Sequence, residues 1–245
     1  MRTALVVGGA NGIGLAIATE LAKEEGVRKI YIVDRCMPQQ VYHNDKFEYH
    51  IFDLNHSDYS IFAQFKHVDV LMITAGFGKL ALFKDIDEQH IIESMNVNAT
   101  AVMRIIHCFY DKICGKADFF CGVMVSIAGF MSSPFFAVYG ASKAALKIFI
   151  ESVNVELEKS GTTNRILNVS PGSIKGTGFN NGKTDLGQTN ALAKDIIKNL
   201  YSKNDLLIPQ YDEIFKTVLE RYGKDFREEG RHSYDYKLNS GRIKE

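Results

Sequence analysis

The stretch Ala4-Leu5-Val6-Val7-Gly8-Gly9-Ala10-Asn11-Gly12-Ile13-Gly14 decides the fold of this chain. Its first four residues are apolar and predict a buried β-strand, and the apolar periodicity of residues 13–25 predicts a helix. The glycines permit a tight turn between the two and let backbone N–H groups approach an anion. The positive end of the helix dipole faces the same point. The loop therefore predicts a pyrophosphate site, with a plain strand-to-helix connection as the alternative.

Short apolar runs alternate with helical patterns as far as Pro209. The predicted strands are Ala4–Val7, Ile30–Val33, Phe47–Phe52, Val70–Thr74, Gly122–Ile127, Ile166–Val169 and Leu206–Ile208. The predicted helices are Ile13–Glu25, His90–Cys114, Ala137–Lys159 and Asn190–Tyr201. This alternation predicts an α/β fold with a doubly wound parallel sheet of the Rossmann type, about seven strands and helices on both faces. We expect one dinucleotide-binding domain over residues 1–245.

The last third of the chain has a different pattern. Residues 179–187 are rich in Asn and Gly and lack a strong period, so we expect the segment 179–202 to cover a substrate. In the region 210–245, one amphipathic helix is predicted from the apolar positions Ile214, Val218, Leu219 and Tyr222. The charged tail from Arg227 onward is expected to be disordered or to pack against a partner subunit.

Composition limits the classes of partner. Lys and Arg together equal Asp and Glu at 29 each, so no net charge favours nucleic acid or an anionic membrane. The four cysteines and seven histidines show no metal-ligand spacing, which predicts no metal site and buried free thiols. The N-terminus lacks a secretory pattern, and no apolar run is long enough for a bilayer. We expect a cytoplasmic protein that acts on a small molecule.

Asp34 stands at the end of the second predicted strand, twenty residues after Gly14. A carboxylate at this place accepts hydrogen bonds from the adenosine ribose and repels a 2′-phosphate, which favours NAD over NADP. Arg35 leaves NADP open, because a guanidinium can bind that phosphate. A simple turn-forming role for Asp34 is the further alternative.

Tyr139-Gly140-Ala141-Ser142-Lys143 opens the longest predicted helix. Positions i and i+4 share a helix face, so the Lys143 ammonium is expected to lower the Tyr139 pKa from its usual value of about 10. Ser126 lies near a strand end thirteen residues earlier and is a candidate to hold a substrate oxygen beside Tyr139. Ser132 and Ser133 are alternatives for that role. Taken alone, a Tyr-xxx-Lys pair is more often a surface pair.

Together these motifs resemble the short-chain dehydrogenase/reductase family, in its single-domain branch. The resemblance covers about residues 3–209 and rests on the glycines at 8, 12 and 14, Asp34, Asp53-Leu54, Ala75-Gly76, Val97-Asn98, Ser126, Tyr139 with Lys143, and Pro171-Gly172. It implies an oxidoreductase that transfers a hydride between a nicotinamide cofactor and a secondary alcohol or ketone. It also implies a homodimer or homotetramer, joined through the helices at 90–114 and 137–159.

The resemblance implies four catalytic residues. Ser126 would orient the substrate oxygen, and Tyr139 would be the acid and base. Lys143 would lower the Tyr139 pKa and hold the nicotinamide ribose, while Asn98 would hold a water that links the lysine to solvent. The implied cofactor-binding residues are Gly8, Asn11, Gly12, Ile13, Gly14, Asp34, Arg35, Asp53, Leu54, Ala75, Gly76, Tyr139, Lys143, Pro171, Gly172, Ile174 and Thr177.

Three positions depart from the family pattern. Val7 replaces a threonine before the glycine loop, and Ile73-Thr74 replaces an asparagine pair, so support of the central strand must differ. Thr177 comes one place late after Pro171-Gly172, which affects the expected contact with the nicotinamide amide.

Other functions are compatible with the fold. A cofactor-sensing binding protein without turnover is one alternative, although the complete set of four catalytic residues argues against it. An epimerase or dehydratase is another, although such relatives usually carry a larger C-terminal domain. Five apolar residues could line an apolar substrate pocket or belong to the core: Phe130, Met131, Phe135, Phe136 and Phe179.

Overall fold

The computed structural model describes residues 1–179, 182–241 and 243. Parts of the segment 179–202 and of the region 210–245 thus lie outside the described residues. Within the described residues, parallel strands form a seven-stranded sheet in the order β3-β2-β1-β4-β5-β6-β7. The strands are β1 Arg2–Val7, β2 Val27–Asp34, β3 Phe47–Ile51, β4 Val70–Ile73, β5 Phe120–Met124, β6 Ile166–Val169 and β7 Leu206–Leu207. The predicted fold class is confirmed.

The helices lie on both faces of this sheet. They are α1 Gly12–Lys23, α2 Glu88–Met95, α3 Ala101–Ile113, α4 Ala137–Ser160, α5 Leu186–Tyr201, α6 Lys216–Lys224 and α7 Phe226–Asn239. No helix in the described part of the chain has both the length and the apolar character needed to span a membrane.

Alternate residues of the central strands serve two separate cores. Leu5 and Val7 pack with the buried side chains of α3 and α4, whereas Ala4 and Val6 pack with those of α1 and α5. Successive side chains of a strand point to opposite faces, so a sheet covered on both faces needs continuous apolar strands. This explains why residues 4–7 of β1 are all apolar.

The strand order reverses beside β1. The chain runs from β1 outward through β2 to β3, and then returns to place β4 on the other side of β1. In such sheets a crevice opens at this switch point, beyond the carboxyl ends of the strands. The glycine loop follows β1, and Ala75-Gly76 follows β4, so both lie at this edge.

Two glycines hold α1 close to the sheet. A β-carbon on Gly14 would lie 2.2 Å from the Gly8 carbonyl oxygen and 2.4 Å from the Thr74 Oγ1. Gly8 has φ +87°, a left-handed conformation that favours glycine. The Thr74 hydroxyl donates to the Gly8 carbonyl at 2.9 Å, so this threonine ties the carboxyl ends of β1 and β4 together. The sequence predicted that the central strand is supported differently from the family pattern, and this threonine provides that support.

Two sequence predictions about helices are wrong. The predicted helix His90–Cys114 is α2 and α3 with a wider π-helical turn, Asn96–Thr100, between them. Helix α5 begins at Leu186 rather than at Asn190, because the Asp185 side chain caps it by accepting from the Gly187 N–H.

The predictions for the C-terminal region are also corrected. Instead of one helix, a π-helical turn at Tyr211–Phe215 leads into α6, and α7 follows. The charged tail is helical as far as Asn239 and contacts its own chain, so the expectation of disorder is wrong for these residues, while packing against a partner subunit stays a prediction. The Asp225 carboxylate caps α7 by accepting from the Arg227 and Glu228 N–H groups, which a charge count does not reveal.

Replacing Gly14 with alanine is expected to lower the free energy of unfolding by about 1–3 kcal/mol, because the new methyl group overlaps a backbone carbonyl. Urea denaturation measures the change. Gly26→Ala is the control, since a β-carbon there meets nothing within 4 Å. Equal stability of the two variants would contradict the close contact described for Gly14.

Candidate active site

The sequence predicted that Ser126 lies inside the strand Gly122–Ile127. In the structure β5 ends at Met124, and Ser126 lies two residues beyond it. It is buried, and its Oγ accepts from the Ala128 N–H at 3.2 Å, which caps a single helical turn at Ile127–Gly129. The Ile127 N–H donates to the Pro171 carbonyl at 3.1 Å, which joins this turn to the segment after β6. These bonds fix the Ser126 hydroxyl at the carboxyl edge of the sheet.

Tyr139 and Lys143 lie in the first turns of α4, next to Ser126. The Ser126 side chain lies near enough to the Tyr139 phenol to lower its pKa, and the Lys143 Nζ lies 5.7 Å from the centre of the Tyr139 ring. Lys143 is only 2% exposed, and its Nζ donates to the Met124 carbonyl at 2.8 Å. The structure thus brings all three side chains together.

Asn98 lies in the π-helical turn and is fully buried. Its Nδ2 donates to the Phe77 carbonyl at 2.8 Å, and its Oδ1 accepts from the Phe77 N–H at 2.9 Å. The Asn98 Nδ2 also lies 3.1 Å from the Ser142 Oγ on α4. Asn98 therefore fixes the segment after β4 against α4, close to Lys143.

The pKa of Tyr139 is higher than the sequence led us to expect. Burial raises the pKa of Tyr139 to about 12, although the hydrogen bond from Ser126 acts in the opposite direction. The predicted lowering by Lys143 is therefore not found, because burial of the phenol has the largest effect on its pKa. The protein by itself keeps Tyr139 as a neutral phenol that can donate a proton.

Burial lowers the pKa of Lys143 to about 7, because the charged form of the amine loses its hydration. The Met124 carbonyl offers a hydrogen bond, and the described structure gives Lys143 no ion pair with a carboxylate. Lys143 thus titrates near neutral pH. Its charge, and with it the field beside Tyr139, changes in the physiological range.

The glycine loop fits a pyrophosphate. The Asn11 side chain makes no capping bond at the start of α1, and the first turn of α1 contains no acidic residue, so its positive end faces the crevice. Gly12 has φ +53°, and a β-carbon on it would lie 3.4 Å from the Thr177 Cβ. The Gly12 N–H donates to the Thr184 Oγ1 at 3.1 Å. This N–H group, which would face an anion, thus donates to a hydroxyl oxygen in the structure. Ile13, next in the loop, is partly buried.

Asp34 faces the same loop from the end of β2. Its Oδ2 accepts from the Ala10 N–H at 3.0 Å, and its Oδ1 accepts from the Cys36 N–H at 3.3 Å. The carboxylate thus has a fixed direction, whereas Arg35 is exposed. A dinucleotide with its pyrophosphate at the glycine loop would bring its adenosine ribose to this side of the crevice.

The remaining predicted cofactor residues line both sides of the crevice. Asp53 is exposed and caps a turn by accepting from the Asn55 N–H at 2.9 Å, while Leu54 is buried in the core. Ala75 bonds to β1 through its N–H, which donates to the Val7 carbonyl at 3.1 Å. Gly76 is closely packed, since a β-carbon there would lie 3.1 Å from the Asn98 Oδ1 and 3.3 Å from the Lys143 Nζ.

The segment after β6 closes the other side of the crevice. The Thr177 Oγ1 donates to the Ile174 carbonyl at 3.2 Å. Thr177, which comes one place later than in the family pattern, therefore stabilises its own turn next to Gly12. Gly172 lies under the ring of Phe215, whose Cζ would be 2.6 Å from a β-carbon on that glycine. Pro171 is buried, and Ile174 is partly buried.

Several residues at the site were missed or left open by sequence reasoning. Phe179 and Phe136 lie with their ring centres 5.1 and 5.4 Å from that of Tyr139, which favours the pocket interpretation for these two. Phe130 instead lies under the Lys147 ammonium, and Phe135 packs on α7. Phe215 and Thr184 were not named as site residues, although Thr184 lies in the segment 179–202 that was expected to cover a substrate.

No group of three or more metal-ligating side chains that could hold an ion occurs among the residues that the structure describes. The candidate site is therefore built from hydroxyl, phenol, amine and amide groups together with backbone N–H donors. These groups can bind an anion, orient an oxygen and transfer a proton.

Lys143→Met is expected to remove a pH dependence of stability. The Lys143 pKa is lowered from 10.5 to about 7 in the folded chain, so the unfolded chain binds more protons between these values. The free energy of unfolding of the unmodified protein, relative to Lys143→Met, should therefore rise with pH from 7 to 9.5 by up to about 1.4 kcal/mol per unit. Denaturant titrations across this range measure it, with the exposed Lys224→Met as control. A pH-independent difference would contradict the lowered pKa.

Residues 2–186 match the family model described as short chain dehydrogenase. An uncharacterized short-chain type dehydrogenase/reductase of Sinorhizobium fredii is 29% identical over 228 residues, which cover 89% of this chain and 86% of that protein. The 3-oxoacyl-(acyl-carrier-protein) reductase MabA of Mycobacterium avium is 30% identical over 182 residues, which cover 71% of this chain and 67% of that reductase. A solved short-chain dehydrogenase from Sphingobium yanoikuyae in complex with NADPH shares the fold, with a TM-score of 0.72, 18% identity, and coverage of 92% of this chain and 96% of that one. The chain therefore belongs to the short-chain dehydrogenase family and is a nicotinamide-dependent oxidoreductase.

Proposed function

We propose that this protein interconverts a secondary alcohol and a ketone, with Tyr139 as the acid and base. One observation carries the proposal: Ser126, the Tyr139 phenol and the buried amine of Lys143 lie together at the carboxyl edge of the sheet. A carbonyl oxygen that approaches Ser126 and Tyr139 meets two hydroxyl donors.

The chain manages the proton while the bound dinucleotide supplies or accepts the hydride. In reduction, the Ser126 hydroxyl orients the carbonyl oxygen, and the neutral Tyr139 phenol donates its proton to that oxygen. The charged form of Lys143 stabilises the phenolate that Tyr139 leaves behind. Asn98 holds the segment after β4 against α4, and so keeps the pocket wall beside Lys143 in place. With a pKa of about 12 the Tyr139 phenol is protonated at neutral pH, as a proton donor must be.

We propose NAD as the cofactor. The fixed Asp34 carboxylate at the end of β2 supports this choice, because it can accept from two ribose hydroxyls and repels a 2′-phosphate. The relative from Sphingobium yanoikuyae binds NADPH, but at 18% identity it supports only the fold. Arg35 is exposed beside Asp34 and is the residue through which NADP would compete.

An apolar substrate is proposed from the rings that surround the phenol. Phe136 and Phe179 both contact Tyr139, and their own ring centres lie 6.0 Å apart. Gly78 lies against this group, since a β-carbon there would be 2.9 Å from Phe179 and 3.0 Å from Tyr139. A ketone with bulky apolar substituents gains more from these surfaces than a sugar does. Phe179 belongs to the segment proposed to cover the substrate.

We also propose that two or four copies of the chain associate. A hollow of about 750 Å³ between α3 and α4 is lined largely by apolar and aromatic side chains, among them Met103, Ile106 and Phe149. Ile148 and Val155 on α4 are more than half exposed, at 58% and 57%. A second copy of these helices would cover both features, as the family resemblance implies.

The cytoplasm is the proposed compartment. All four cysteines are unpaired, including Cys36, which is exposed. Exposed free thiols persist in reducing surroundings.

Tyr139→Phe is expected to lower kcat at least about 10³-fold, because the ring remains but the proton donor is lost. NADH binding, measured by cofactor fluorescence, should change little. Turnover is followed at the nicotinamide absorbance with a series of apolar ketones. Tyr236→Phe, on an exposed face of α7, is the control. Near-normal turnover of Tyr139→Phe would exclude the proton-donor role.

The alternative function is a cofactor sensor without turnover, and the grouping of Ser126, Tyr139 and Lys143 argues against it. The same measurements separate the two functions, since a sensor binds NADH but reduces none of the ketones. The proposed function fails if the unmodified protein binds the cofactor and no carbonyl compound accelerates its oxidation.

Asp34→Asn is expected to shift the ratio of the NADH and NADPH dissociation constants toward NADPH by about tenfold or more, because it removes the charge that repels a 2′-phosphate. An amide oxygen can still accept from the Ala10 N–H, so the loop keeps its support. Asp45→Asn is the control, because that carboxylate is fully exposed. An unchanged ratio would show that Asp34 does not select the cofactor.

A further inference from the structure

The segment of residues 132–136, here called the wall segment, lies between Ser126 and Tyr139 and leads directly into α4. It contains Phe135 with φ +65°, a left-handed conformation that is rare for a bulky aromatic residue. Such strained residues persist only where the surrounding structure holds them, and they often occur at functional sites. The contacts of Phe135 with its neighbours must therefore offset this strain.

The ring of Phe135 is held by α7. Its side chain is 4% exposed, and its ring centre lies 4.5 Å from that of Tyr234, with 35° between the planes. The Phe135 carbonyl accepts from the Ala81 N–H at 2.9 Å on the opposite side. Phe135 is therefore fixed between the segment after β4 and the C-terminal helix.

A buried amine of α7 holds the two residues before Phe135. Lys237 is 9% exposed, and its Nζ donates to the Ser133 Oγ at 2.8 Å and to the Pro134 carbonyl at 2.7 Å. The same Nζ lies 5.5 Å from the centre of the Phe136 ring, close enough for a cation–π contact. One lysine thus contacts three residues of the wall segment.

The first turns of α7 contact the wall segment as well. The Ser132 Oγ donates to the Phe226 carbonyl at 3.4 Å, and a β-carbon on Gly230 would lie 3.3 Å from that Oγ. Helix α7 is in turn joined to α6, because the buried Glu229 accepts from the Arg221 guanidinium at 2.6 and 3.1 Å. Contacts along the length of α7 therefore converge on the wall segment.

We propose that α7 positions the active-site wall: Tyr234 and Lys237 hold the wall segment in its strained conformation, and so set Phe136 against Tyr139 to select the substrate. Tyr234 and Lys237 are positioning residues that act through Phe136. This proposal rests on the proposed function for its link to substrate choice, although the hold of α7 on the wall segment does not depend on it. Without that hold Phe135 can return to negative φ, which would turn Phe136 away from the phenol. Tyr139 itself stays in place, since it belongs to α4.

The test compares Tyr234→Ala and Lys237→Met with matched controls. Tyr236→Ala changes a 67% exposed tyrosine two residues along the same helix, and Lys224→Met changes an exposed lysine of α6. Tyr234→Phe keeps the ring and is expected to restore normal behaviour. Tyr234→Leu keeps apolar bulk and serves if Tyr234→Ala does not fold.

Hydrogen–deuterium exchange is the first measurement and needs no turnover. Backbone amides of the wall segment should exchange at least about tenfold faster in Tyr234→Ala and Lys237→Met than in the controls. Amides of α4 beyond Tyr139 should exchange as in the unmodified protein. Unchanged exchange in the wall segment would overturn the proposal, even if the enzyme proves active.

Kinetics is the second measurement and tests the effect on the substrate. With a series from 2-butanone to acetophenone, both variants should raise KM for the bulky ketone by about tenfold while kcat changes less and NADH affinity stays constant. A merely structural role would impair substrate binding, kcat and NADH affinity together. That result would also overturn the proposal. If no ketone is reduced by the unmodified protein, the proposed function fails, whereas the exchange result still decides whether α7 holds the wall segment.

Discussion

The buried amine of Lys143 is the group on which the rest of the candidate site depends. Its hydrogen bond to the Met124 carbonyl joins α4 to the end of β5, and the close approach of Gly76 brings the segment after β4 to the same point. Asn98 fixes that segment from the other side through Phe77. Because a buried amine needs hydrogen-bond acceptors, moving any of these elements would leave a polar group unsatisfied.

Desolvation at this point has opposite effects on the two titratable groups. It raises the Tyr139 pKa to about 12 and lowers the Lys143 pKa to about 7, so each favours its neutral form. A neutral phenol can donate a proton but cannot accept one. Ionising the Tyr139 phenol near neutral pH therefore requires additional positive charge beside the ring. This is a property of the folded environment rather than of the Tyr-xxx-Lys spacing.

The C-terminal third completes the site from outside the motif-bearing part of the chain. Phe215 covers Gly172, Thr184 lies on the Gly12 N–H, and α7 contacts the wall segment beside Tyr139. The family model ends at residue 186, so Phe215 and α7 lie beyond it. The part of the chain that matches the family model thus contains Ser126, Tyr139 and Lys143, whereas the C-terminal helices shape the space around them.

The amino-acid sequence alone determined the fold class, most strand positions and the residues that meet at the crevice. Strands buried on both faces must be continuously apolar, and glycine is required where two backbone segments come close together. Both features can therefore be recognised from short stretches of sequence. Tertiary structure alone decided the direction of the Tyr139 pKa shift, the π-helical turn that carries Asn98, and the packing of the charged tail as α7. The pKa shift depends on how much water neighbouring elements exclude, and helix packing depends on contacts between distant residues such as Tyr234 and Phe135. Such contacts leave no period or spacing in the sequence, and only the folded chain shows them.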